Sequence, residues 1–257
     1  MRTFGRIAVI AVMLTSLTGM AAAADIRVLG VGAVQSAVAD LGRDFARESG
    51  HRVVLTAAAP AAVMRKIEDG EVFDAVIVSE PAMDELDKDG TVNPESRVRL
   101  ANGGVGVAVR AGAPRPDLST PETFKQALLA AKSVVYADAA LPDRRDGPVE
   151  ELLAKAGILD AVEPKLRLVT DPAEGQALIA KGEADLGLYD VSEIPLRQGV
   201  ELAGPVPSAL QVSTTYEGAL MSDGAVPEAA RAFIQFLSSP DARAKWHAAR
   251  LEPLADH

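Results

Sequence analysis

The chain has 257 residues and no cysteine, and its 26 basic against 36 acidic residues give a formal net charge of −10. The absence of cysteine excludes disulfides, thiolate nucleophiles and Cys-based zinc sites, and the acidic balance opposes nucleic acid and anionic membranes as partners. Aromatic residues are only 4% of the chain, which argues against stacking platforms for sugars or bases.

Residues 1–24 open with Arg2 and Arg6, run apolar over 7–17 and close on Ala21, Ala22, Ala23 and Ala24. This is the layout of a secretory signal peptide, so the expectation is export to a bacterial periplasm with cleavage after Ala24. The leader holds two Arg and no acid, so the mature chain carries 24 basic and 36 acidic residues, a formal −12. Its apolar run is too short to span a bilayer, and no later stretch approaches about 18 apolar residues. A mature chain of about 230 residues buries enough core to need no disulfide staples.

Strand-like and helix-like runs then alternate. Residues 26–31 form an apolar strand, and Val34, Val38, Leu41 and Phe45 follow at spacings of 4, 3 and 4 before the stop at Ser49 and Gly50. Residues 52–57 are the next strand, 60–69 a helix with Pro at its first turn, 73–78 the third strand and 81–88 a short helix. This βαβαβα run implies a parallel sheet with right-handed crossovers. The pattern restarts with a helix over 120–131, a strand over 134–137, a helix over 147–155, a strand over 166–170, a helix over 172–181 and a strand over 185–189. Between the two blocks lie extended, Val- and Gly-rich segments, 98–110 and 200–215, expected to be paired crossover strands. The last helices, 227–238 and 240–249, return to the first block, docked by Ala230, Phe233, Ile234 and Leu237.

The expected fold is therefore α/β, with two doubly wound lobes joined by two crossover strands. Lobe 1 is assigned to residues 25–105 and 212–257, and lobe 2 to 106–211. The junction forms a cleft at the carboxyl ends of parallel strands, where such folds bind ligands.

No P-loop, GxSxG elbow, HExxH or EF-hand spacing is present. The three histidines, His51, His247 and His257, are scattered, and neither a metal nor a cofactor is expected. The informative positions are the first two strand-to-helix turns. Gly32 and Ala33 open one helix, and Ala59, Pro60 and Ala61 open the next. Side chains this small let a ligand approach the N–H groups of a helix start without any cationic side chain. In the second lobe, Arg144 and Arg145 follow a strand and precede a helix, placed to clamp a carboxylate or oxyanion. Tyr189 and Asp190 end a strand at the same sheet edge, where Tyr189 offers a hydroxyl.

The stretches IRVLGVGAVQSAVADLGRDFARESGHRV, VMRKIEDGEVFDAVIVSEPAMDELDKDG, LANGGVGVAVRAGAP, ADLGLYDVSEI and FIQFLSSPDARAKW occur in the order and spacing of a known group. The mature chain resembles the periplasmic solute-binding proteins of ABC importers, in particular the molybdate-binding-like group. The resemblance implies the periplasmic-binding-protein type 2 architecture, a small solute, an inner-membrane ABC permease as partner and no catalysis. Molybdate binders carry a serine in each of the first two turns, whereas Ala33 and the Ala59, Pro60, Ala61 group stand there in this chain. The resemblance also implies a tyrosine in the site, with Tyr189 near that position and Asp190 on it in an ungapped match. The expected ligand is thus a small anion, either a molybdate-like oxyanion or a small organic acid, captured by a monomeric receptor. Two rivals stand beside this reading: an exported hydrolase with two carboxylates facing each other across the cleft, and a ligand-sensing or partner-binding module on the same fold.

Overall fold

A computed structural model describes residues 23–137 and 147–254. In the first block, β1 (Asp25–Val31) leads through a 3₁₀ turn (Gly32–Val34) into α1 (Gln35–Ser49), followed by β2 (Arg52–Ala58), α2 (Pro60–Glu68), β3 (Ala75–Ser79) and α3 (Glu80–Lys88). β1 lies between β2 and β3, parallel to both, so it is apolar on both faces. Ile26, Val28 and Leu29 are accordingly buried. Gly50 ends α1 in the left-handed region, at φ 76°, the conformation that makes glycine a helix stop.

β4 (Val98–Arg110) is the long outgoing strand. The second block comprises α4 (Pro121–Ala130), β5 (Val134–Ala137), α5 (Pro148–Lys155), α6 (Leu159–Val162), β6 (Leu166–Val169), α7 (Pro172–Lys181) and β7 (Leu186–Asp190). The return path is β8 (Val200–Pro205) and β9 (Ser213–Leu220), and the chain closes with α8 (Pro227–Leu237), α9 (Arg243–Ala248) and β10 (Glu252–Pro253). The strands join in the order β2-β1-β3-β9-β4-β7-β5-β6, with β8 and β10 also on β4.

β4 serves both lobes. Residues from Val98 to Gly104 pair antiparallel with β9, whereas those from Val105 onward pair with β7 and β8. One apolar core fills the first lobe, where Phe45 packs against Phe233 and Phe236 of α8 and Trp246 is buried with its Nε1–H donating to the Leu237 carbonyl at 2.9 Å. Two further cores cover the two faces of the second sheet.

The structure departs from the sequence reading at three places. The extended segment over 200–215 is two strands, because Pro205 and Pro207 cannot donate to a ladder. Residues 206–212 turn instead, and the Gln211 side chain accepts from Val105 N at 2.8 Å and donates to Val105 O at 3.0 Å, doing the work of a backbone partner. The third strand starts at Ala75, after the buried Phe73. The expected final helix over 240–249 divides into a 3₁₀ turn (Pro240–Ala242) and α9.

Asp74 fastens the first lobe together. One carboxylate oxygen accepts from Arg27 N at 2.7 Å, and the other accepts from Ala225 N at 2.8 Å and Val226 N at 3.1 Å. Val226 is the N-cap of α8 and has no side-chain cap, and Asp74 instead holds the N–H groups of Val226 and of the residue before it, fixing the path by which the chain enters the helix.

Candidate functional site

The carboxyl ends of β1, β2 and β3 face those of β5, β6 and β7 across a cleft. At its centre lies a cavity of about 60 Å³, lined by Val31, Ala33, Pro60 and Ser79 of the first lobe and by Pro148, Pro172, Tyr189, Asp190 and Glu193 of the second. Gly103, Gly104, Thr214 and Tyr216 of the hinge strands form its floor. A single water needs about 10–15 Å³ by this measure, so the cavity has room for a group of a few heavy atoms. A wider chamber of about 440 Å³ opens from it past Ala61, Met64, Arg65 and Glu151, sharing Pro60, Ser79, Pro148 and Thr214 with the cavity.

Helix starts ring this space. The turn at Gly32, α2, α3 and α5 all begin without a side-chain cap, whereas α7 is capped by Asp171, which accepts from Ala173 N at 2.8 Å. Uncapped first turns leave N–H donors and the positive end of the peptide dipoles for an occupant.

The sequence-expected residues distribute as follows. Ala33, Pro60, Tyr189 and Asp190 line the central cavity. Gly32 and Ala59 line an adjoining recess together with Asp171, Gln176, Glu193 and Arg197. Ala61 lines the wide chamber. Arg144 and Arg145 lie outside the described residues.

Tyr189 is buried, with no hydrogen-bond partner for its Oη. A Cβ on Gly175 of α7 would overlap that oxygen, so glycine there makes room for the ring. Burial, with Glu193 and Glu174 nearby, raises the phenol well above its ordinary range. Gly175→Ala is expected to destabilise the protein by about 1–3 kcal/mol, because the ring must move in a packed interior. A chemical-denaturation comparison checks this, and an unchanged midpoint would show that the ring has room to shift.

Asp190 accepts from Ser192 N at 2.9 Å, Ser192 Oγ at 2.6 Å and Tyr216 Oη at 3.0 Å. Burial pushes its pKa up, while the Ser192 and Tyr216 donors pull it down. Its bond to Tyr216 joins the end of β7 to β9, and it passes over Gly103 of β4, where a Cβ would overlap Asp190 Oδ2 and come within 2.8 Å of Tyr216 Cε2. Gly103 thus has a steric reason.

Glu193, which follows β7, was not expected from sequence. Its carboxylate reaches the opposite lobe, where a Cβ on Gly32 would lie 2.7 Å from Glu193 Oε1. Burial is the main cause that pushes its pKa up to about 8, followed by Asp190 and Asp171, with Arg197 opposing. Ser79, Thr214 and Tyr216 were likewise not singled out. Ser79 ends the third strand at the same kind of turn as Gly32 and Ala59, so extending that rule by one turn would have found it. Nothing local marks Glu193 or Tyr216. The two acids of the cavity, Asp190 and Glu193, come from one segment rather than from opposite walls. Among the described residues, no group of three or more His, Cys, Asp or Glu could hold a metal ion, and no helix is long and apolar enough to cross a membrane.

A family model described as bacterial extracellular solute-binding protein matches residues 26–249. The chain belongs to that family. Among relatives of this solute-binding protein, an aconitate isomerase from Pseudomonas sp is 33% identical over 233 residues, covering 88% of this chain and 87% of the relative. The molybdate-binding protein of Escherichia coli (strain K12) is 26% identical, covering 84% of each chain. The structure of the Azotobacter vinelandii periplasmic molybdate-binding protein superposes with a TM-score of 0.71 at 19% identity, over 90% of this chain and 100% of that one. The resemblance to molybdate-binding proteins and the two-lobed type 2 fold both stand.

Proposed function

We propose that this solute-binding protein is a monomeric periplasmic receptor, released by cleavage after Ala24, that captures a small organic acid between its lobes and presents it to an ABC permease. The observation that carries this reading is the convergence of uncapped helix starts from both lobes on one small cavity. Those N–H groups suit a carboxylate. Ala33 and the Ala59, Pro60, Ala61 group supply no hydroxyl where molybdate binders have serine, and each missing contact to a charged oxyanion costs about 1.5–3 kcal/mol. The overall acidic charge opposes long-range attraction, so capture is local and short-ranged.

The test is thermal stabilisation with molybdate, tungstate, sulfate, phosphate, citrate and trans-aconitate. A ligand at about 100 times its Kd adds about 2.7 kcal/mol to the folded state. The expected result is a rise in Tm with a tricarboxylate and none with the metal oxyanions. Stabilisation by molybdate alone would replace this ligand assignment.

One observation favours a second, catalytic reading. Glu193 is a cleft carboxyl whose pKa burial pushes up to about 8, in the range a general acid–base group uses, and the 33% identical relative is named an aconitate isomerase. On this reading Glu193 moves a proton on a bound unsaturated acid. Incubation with cis-aconitate or trans-aconitate followed by NMR distinguishes the two. Conversion that Glu193→Gln abolishes supports catalysis, and its absence leaves the receptor.

A further inference from the structure

The cavity that offers helix starts to an anion also contains two acids. Asp190 and Glu193 both line it, with Glu193 reaching across the cleft, and Asp190 stands close enough to raise the affinity of Glu193 for a proton. Asp190 has three hydrogen-bond donors, Ser192 N, Ser192 Oγ and Tyr216 Oη, all of which favour its ionised form. The Glu193 carboxylate has no such support, and it presses on the helix start at Gly32. Ionised, Glu193 would occupy the anion position at that helix start and repel an incoming carboxylate. Protonated, it withdraws its charge and offers an O–H to the guest.

The other groups that face Glu193 do not remove the conflict. Asp171, at the start of α7, adds a second negative charge, and Arg197 on its own segment is the opposing cation. Tyr189 and Tyr216 are both held neutral by burial. Tyr189 also lines the cavity, but its unpartnered Oη lies against Gly175 of α7 and supplies Glu193 with no hydrogen bond.

We propose that Glu193 carries a proton into the loaded cleft, so that each captured organic anion is taken up together with one proton. This rests on the receptor reading above. Glu193 is then the group that sets the pH range of capture: the site grips its acid at neutral and lower pH and loosens as Glu193 ionises.

The experiment is isothermal calorimetry of the mature protein with trans-aconitate as the probe, whose carboxylates stay ionised from pH 7 to 9. With Glu193 half-ionised at about pH 8, the wild-type Kd rises about tenfold between pH 7 and pH 9. At pH 9, titrations in two buffers of different ionisation heat read close to one proton taken up per ligand. Glu193→Gln removes the slope, because Gln does not titrate. A wild-type Kd that stays flat, zero proton uptake, or a Glu193→Gln protein that keeps the slope would each overturn the proposal while leaving the receptor in place. Failure of the probe to bind at any pH would retire the receptor reading for this acid and the proton coupling with it.

Discussion

Glu193→Gln is expected to raise the stability of the ligand-free protein by about 3 kcal/mol at pH 7, with the gain fading toward zero as pH falls to about 4.5. In the unfolded chain this carboxyl ionises near its ordinary value of 4.5, whereas in the fold burial, Asp190 and Asp171 push it up to about 8. Between those values the folded state holds a proton that the unfolded state has released. Its contribution to stability is therefore complete below pH 4.5 and is lost as pH rises through 8, at about 1.4 kcal/mol per pH unit. Gln has nothing to release, so the variant escapes that loss. Urea unfolding of both proteins at pH 5, 6, 7 and 8 measures it. A difference that does not vary with pH would mean that Glu193 is solvated and ordinary. A natural sequence that keeps a destabilising acid in its cleft is keeping it for the occupant, in line with the general conflict between stability and function at binding sites.

The second large effect lies away from the cleft. Asp74→Ala is expected to destabilise the protein by about 3–5 kcal/mol, since it strips acceptors from three backbone N–H groups at once and each one buried without a partner costs about 1–3 kcal/mol. Those N–H groups belong to Arg27, Ala225 and Val226, so the loss reaches from β1 to the start of α8. For a chain of this size the Tm should fall on the order of 10 °C. Asp74→Asn keeps one acceptor oxygen and should recover part of the loss. Equal midpoints for wild type and Asp74→Ala in a thermal melt would show that solvent replaces the carboxylate.

The alternation of strands and helices is legible in the sequence because each element carries its own punctuation. Phe45 closes a regular apolar stripe and Gly50 stops it, Thr120 caps α4 reciprocally with Thr123, and Gly182 ends α7 in the left-handed region. The break over 206–212 is harder to see, since Val206, Leu210 and Val212 keep the segment apolar while Pro205 and Pro207 end the ladder. The small-residue turns at Gly32 and Ala59 are visible as local motifs, and both lie in the cleft. Glu193 and Tyr216 are not visible, because their meaning is tertiary. Tyr216 reaches Asp190 only through the pairing of β4 with β9 on one side and β7 on the other. Glu193 becomes unusual only when the opposite lobe removes its water.

The register Gly104↔Ser213 places the point where the backbone leaves the first lobe directly beside the point where it comes back. Adjacent strands in a ladder are about 4.8 Å apart. Topologically, the second lobe is therefore a cassette inserted between two neighbouring strands of a host sheet. Its entry and exit lie close enough for a short turn to bridge them, so a different module could be spliced there while the host ladder stays in register. Diversification of ligand preference in such a body can proceed by exchanging one wall and leaving the other untouched.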